Sequence, residues 1–145
     1  MNTTTLEHLI APHGGTLVDR TGEAEDVSGL DCVRLSSREL SDLDMLASGA
    51  LSPLEGFMAQ EDYERVLEDM HLASGLPWAL PVCLAIESAP AGDRVALADE
   101  RGGIVGVLDV EEVYDYDKRR EAELCFRTTE EEHPGVARLY GQHPH

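Results

Sequence analysis

Ser36-Ser37-Arg38-Glu39-Leu40 opens a stretch that runs on to Gly49-Ala50-Leu51-Ser52-Pro53-Leu54-Glu55-Gly56-Phe57-Met58, and the fold is read outward from it. The first four residues form a Ser-x-x-Glu capping box, in which the Ser36 hydroxyl and the Glu39 carboxylate satisfy each other's exposed amides. Leu40, Leu43, Leu46, Ala47 and Ala50 follow at three- and four-residue spacing, and Gly49 offers a left-handed terminus. The spacing predicts a helix over 37–48. The connection that follows is punctuated by Pro and Gly yet carries four large apolar side chains, Leu51, Leu54, Phe57 and Met58. Exposed together, they would form a patch that soluble monomers rarely carry unless a partner covers it. Inward packing is the favoured reading. With Ser52 and Pro53, the same residues form the candidate interface loop if a partner does cover them.

Downstream, Tyr63, Val66, Leu67 and Met70 fall at i, i+3, i+4, i+7, with Glu64, Arg65, Glu68 and Asp69 on the other face, so a second helix starts near Glu61. Gly75 and Pro77 end it. After Trp78 the period changes to two: Val82, Leu84 and Ile86 alternate, 89–93 is a turn, Val95 and Leu97 alternate, 99–103 is another turn, and 104–110 makes a third strand. Turns of about five residues cannot hold a parallel crossover, so an antiparallel meander is expected. Shorter strands are expected at 16–19 and 32–35, and an acidic helix at 117–126 before a loop at 127–135. Helices in the first half and strands in the second give an α+β domain.

The chain has 145 residues, enough for one domain, and at 42% hydrophobic it can build a packed core. Eleven Lys+Arg against 29 Asp+Glu give a net charge of −18, with Lys118 the only lysine. That balance disfavours nucleic acid and anionic membranes as partners, because polyanion binding needs cations clustered on one face. The most apolar stretch, 76–86, is too short to span a bilayer and contains Pro77 and Pro81. No leader-like segment is read at the start, so a cytoplasmic location is expected. Cys32, Cys83 and Cys125 are odd in number and far apart, which suits reduced thiols.

Common catalytic arrangements are missing from the sequence. A phosphate-binding P-loop needs Gly-Lys-Ser or Gly-Lys-Thr, and Lys118 follows Asp117. Gly102, Gly103 and Gly106 precede a strand and read as a hairpin turn. There is no Gly-x-Ser-x-Gly, no Cys-x-x-Cys and no His-Glu-x-x-His. The acidic runs Glu111, Glu112, Asp115, Asp117 and Glu130–Glu132 lack the spacing of a calcium loop and read as solvated surface. No catalytic, cofactor-binding or metal-ligating residue is therefore assigned.

One resemblance is specific. His13-Gly14-Gly15-Thr16-Leu17, then Arg38 with Asp42 and Leu46, then the string from Gly49 to Met58 resemble the amino-terminal region of the ATP sulfurylase (sulfate adenylyltransferase) family. Asp62-Tyr63, Gly75-Leu76-Pro77-Trp78, Val110-Glu111-Glu112, Asp117-Lys118 and His133-Pro134-Gly135-Val136 continue it in order, so it covers residues 10–139. The resemblance implies a PUA-like mixed β-barrel with packed helices over 1–145, and 140–145 is expected to be a disordered tail. It also implies an enzyme that joins sulfate to the α-phosphorus of MgATP, giving adenylyl sulfate and pyrophosphate.

The family's Gln-x-Arg-Asn-Pro-x-His and Gly-Arg-Asp-His stretches do not occur in this sequence. No catalytic residue carries over, the chain alone is expected to be inactive, and MgATP would belong to the complete enzyme rather than to this domain. The implied role is a non-catalytic accessory domain whose partner is the catalytic domain or subunit, with homo-oligomerisation left open. The alternative is a stand-alone interaction or regulatory module acting in trans on a sulfate-activating enzyme. Two positions depart from the family pattern: Arg127 stands where Gly is usual and Glu130 where Asp is usual. Arg127 puts the turn geometry in question, because a side chain disfavours positive φ.

Overall fold

The Ser36–Glu39 box closes as the sequence dictates. Ser36 N donates to Glu39 Oε2 at 2.8 Å while Glu39 N donates to Ser36 Oγ at 3.3 Å, and α1 runs Ser37–Ser48 to a left-handed Gly49 at φ 89°. The computed structural model describes residues 10–23 and 25–145. Helix α2 spans Gln60–Asp69 and buries Tyr63, Val66 and Leu67, the apolar positions of the 3.6-residue pattern. Helix α3, Lys118–Phe126, begins where Asp117 accepts from the amides of Arg119 and Arg120.

The sheet has three strands in spatial order β1 (Asp31–Arg34), β2 (Arg94–Ala98), β3 (Ile104–Asp109). Central β2 is buried from Val95 to Ala98, with the small Ala96 and Ala98 on the face opposite Val95 and Leu97. β2 and β3 form the expected antiparallel hairpin. Its turn is held by Asp99, whose Oδ1 accepts from Arg101 N at 2.9 Å and Gly103 N at 2.8 Å.

The expected three-strand meander is corrected at its first member. Residues 82–86 form no strand, and β1 instead lies parallel to β2. The connection between these two contains α1 and α2, which is the long crossover that parallel pairing requires. The backbone of 82–86 is satisfied elsewhere: Met58 N donates to Val82 O at 2.8 Å, and Ile86 and His145 exchange amide bonds at 2.6 and 3.2 Å. The short strand expected at 16–19 is also absent. There Val18 N donates to Ser52 Oγ at 2.9 Å and Arg20 N to Ala47 O at 2.8 Å, which ties the segment to the end of α1 rather than to the sheet.

The loop expected at 127–135 is shorter, because α4 (Pro134–Tyr140) starts inside it, with His133 Nδ1 accepting from Gly135 N and proline in the first turn. Arg127 ends α3 at φ 58°. Within 140–145, expected from sequence to be a disordered tail, Lys118 Nζ donates to the carbonyls of Tyr140 and Gln142, and Tyr116 Oη to His143 O. Among the described residues, the buried side chains fall into three clusters. One centres on Leu46, Leu54, Met58, Val66 and Leu72, a second on Leu35, Val95 and Leu97 at the sheet, and a third on Ala122, Val136 and Leu139 between α3 and α4.

Candidate functional site

The candidate loop packs inward. Leu54 and Met58 are buried with Leu46 and Val66, and Leu51 and Phe57 are half-buried against them. Phe57 also touches the sheet cluster, so it joins two parts of the core. Ser52 is 4% exposed, and its hydroxyl is fully used, donating to Gly49 O at 2.7 Å while accepting from Val18 N. Pro53 is half-buried beside Gly14. Of the six residues offered as an interface, Ser52, Leu54 and Met58 are therefore closed to a partner in this arrangement.

A polar cluster lies where α2, α3 and the segment after β3 converge. Tyr63 Oη donates to Glu121 Oε2 at 2.7 Å, and its ring sits 5.6 Å from that of Tyr114 and 6.4 Å from that of Tyr116. Tyr114 Oη donates to Met58 O at 2.9 Å and lies 3.4 Å from Cys83 Sγ. Burial holds the Tyr63 and Tyr114 hydroxyls far above the ordinary phenol range and pushes Tyr116 up to about 12. Burial likewise pushes the Cys83 thiol up to about 12 and the Cys125 thiol up to about 11. Glu121 is raised by burial, against the lowering effect of the Tyr63 hydrogen bond. These groups stay protonated at neutral pH as thiols and phenols, which makes them structural donors and not nucleophiles. In the sequence Tyr63 reads only as an apolar-face residue, and nothing in its local pattern signals the partner on α3.

Beside this cluster is a half-open cleft with a cavity volume of about 1400 Å³, bounded by α1, the 80–86 segment, β3, α3 and α4. Nine carboxylates line it against four arginines. Three of those arginines are held by carboxylates: Arg20 by Glu55 at 3.7 Å, Arg38 by Asp42 at 3.8 Å, and Arg94 by Glu25 and Asp109 at 2.8 and 2.9 Å. Asp42 is nevertheless raised, because burial outweighs Arg38. Such a lining does not gather phosphate or sulfate. Among the described residues no three His, Cys, Asp or Glu side chains converge as a metal site, and no helix is long and apolar enough to cross a membrane.

Comparison with known proteins places this architecture. The sulfate adenylyltransferase of Synechococcus sp. (strain JA-3-3Ab) is 47% identical over 145 residues, covering 92% of this chain and 37% of that protein. The sulfate adenylyltransferase of Symbiobacterium thermophilum is 50% identical, again over 92% of this chain and 37% of its own length. The chain thus spans about 37% of the length of these relatives. Among solved structures, the hexameric APS kinase from Thiobacillus denitrificans matches 74% of this chain and 24% of that one, at a TM-score of 0.63 and 30% identity. A PUA-like domain profile matches residues 10–145. The chain belongs to the PUA-like domain family, and within it is similar to the portion carried by sulfate adenylyltransferases.

Proposed function

We propose that the chain is a non-catalytic accessory domain of a sulfate adenylyltransferase, working in the cytoplasm beside a catalytic partner that holds MgATP and sulfate. The observation that carries this reading is the identity of 47–50% across 92% of the chain to proteins of that name, of which it represents only 37%. The chemistry of the site supports it: thiols and phenols held neutral, three of the four cleft arginines engaged by carboxylates, and, among the described residues, no basic cluster able to draw two anions together. The domain's contribution is then a preformed surface against which the catalytic part is ordered.

The test uses the isolated chain and a chimera in which the chain replaces the matched portion of the Symbiobacterium thermophilum enzyme. The isolated chain should release no pyrophosphate from ATP and sulfate, whereas the chimera should do so within about tenfold of the parent, a barrier change of about 1.4 kcal/mol. Sulfate-dependent release by the isolated chain, or an inactive chimera, overturns the reading.

A further inference from the structure

We propose that the half-open cleft between α1, β3 and the α3–α4 pair is a docking surface for an apolar segment flanked by lysine or arginine, supplied by the polypeptide that performs adenylyl transfer. The proposal rests on the accessory-domain reading above, and it adds the place and the chemistry of the contact.

The core itself points to the cleft. Half-buried apolar residues packed against the described clusters line one cavity: Phe57, which bridges the first two, Leu84 and Val110 beside the sheet cluster, and Phe126 beside the α3–α4 cluster. Three large side chains on its walls remain exposed, Leu80 at 45%, Val105 at 43% and Val113 at 39%. Size narrows the occupant, because about 1400 Å³ exceeds the ~300–1,000 Å³ of small-molecule pockets and suits a stretch of polypeptide.

Charge sets its chemistry. Nine carboxylates face four arginines along the lining. Among the described residues, Asp44 and Glu111 at the rim form no ion pair, so they are available to a cation from outside. Lysines or arginines of the catalytic polypeptide that lie outside its substrate site would meet this rim with complementary potential. The relatives contain the additional chain needed, since the matched part is 37% of their length.

Amide hydrogen exchange in the isolated chain and in the intact chimera tests the proposal. Exchange over 80–86 and 105–113 should slow at least tenfold in the chimera. Asp44→Lys combined with Glu111→Lys should remove at least fivefold of that protection while leaving the Tm of the isolated chain unchanged, which separates lost docking from lost folding. An active chimera whose cleft exchanges as fast as in the isolated chain overturns the docking site and leaves the accessory role standing. A protected cleft in an inactive chimera supports docking and overturns the accessory role. Failure of both protection and activity overturns both, and protection insensitive to the rim charges overturns the basic character of the occupant.

Discussion

Replacing Tyr63 by Phe removes one oxygen from the interior and should destabilise the domain in a pH-dependent way. Tyr63 is 3% exposed and donates at 2.7 Å to Glu121, whose pKa burial raises and this bond lowers. A hydrogen bond to a charged group contributes about 1.5–3 kcal/mol and one to a neutral group about 0.5–1.5 kcal/mol. The loss should therefore be about 2–3 kcal/mol above the raised range of Glu121, where the carboxylate is charged, and about 1 kcal/mol below the ordinary glutamate range, where it is neutral. The sign follows from linkage. Because the folded pKa of Glu121 lies above its unfolded value, its contribution is most favourable at low pH, and stability falls as pH rises from the ordinary glutamate range through the raised one. Losing the Tyr63 donor raises that pKa further and extends the falling region upward.

Urea unfolding followed by Trp78 fluorescence reads this directly, since the single tryptophan packs against the first core cluster. Comparing variant with parent at each pH cancels the repulsion of the −18 surface, which both share. In a Glu121→Gln background the same substitution should cost only the neutral-bond amount, with little dependence on pH. Equal losses below the ordinary glutamate range and above the raised one in the parent background would refute the assignment of Glu121 as an ionising partner.

Gly49→Ala should cost about 2–4 kcal/mol, since φ 89° already disfavours a side chain and the new Cβ would collide with Val18 O and sit 2.8 Å from Leu17 Cδ1; a thermal shift within a degree of the parent rules this out. Arg127→Gly should stabilise by about 0.5–1 kcal/mol by relieving φ 58°, less the entropy Gly adds to the unfolded chain, and lower stability by chemical denaturation would show that the arginine side chain matters more than its backbone. Near pH 8, Cys32, which is exposed, should react with a thiol reagent at least tenfold faster than Cys83 or Cys125, whose thiols are pushed up to about 12 and 11; mass-spectrometric mapping showing equal rates contradicts their burial.

What the sequence discloses is set by the range of the interaction. The capping box at Ser36 and Glu39 is a contact three residues long, and helix α1 ends at the glycine that its reading names. At Arg127 the family resemblance, not a local pattern, puts the turn geometry in question, and the residue keeps the left-handed φ of 58° that a glycine would adopt there without strain. The hairpin of β2 and β3 needs only a short turn. Pairing of β1 with β2 depends on a crossover through two helices, and alternation in Val82, Leu84 and Ile86 shows a half-buried extended segment without naming its hydrogen-bond partner. Helix α4 had a readable cap and proline at His133-Pro134, outweighed by the charged run before it. The Tyr63–Glu121 contact spans 58 positions, and no local pattern reports it.

The proposed accessory role puts an acidic domain beside chemistry on two anions, and distance reconciles the two. At physiological ionic strength the field of a surface charge falls off over about 8 Å, so carboxylates more than a few such lengths from a bound sulfate or triphosphate leave its affinity nearly untouched. Carboxylates against the catalytic polypeptide act at contact range, where screening is weak and complementary charge favours one register over others. The distribution here fits that division: three of the four arginines on the cleft walls are held by neighbouring carboxylates, while Asp44 and Glu111 at its rim are exposed without a cationic partner among the described residues. A domain built to bind substrate would invert this, leaving arginines free and carboxylates engaged. Ionic strength therefore separates two effects in the chimera. Raising salt should weaken protection of the cleft, through the rim charges, while any change in substrate affinity should be the same in the parent and in the Asp44→Lys, Glu111→Lys variant. A KM for sulfate that shifts with those two substitutions would mean that the rim lies within reach of the substrate, and the accessory role as drawn would fail.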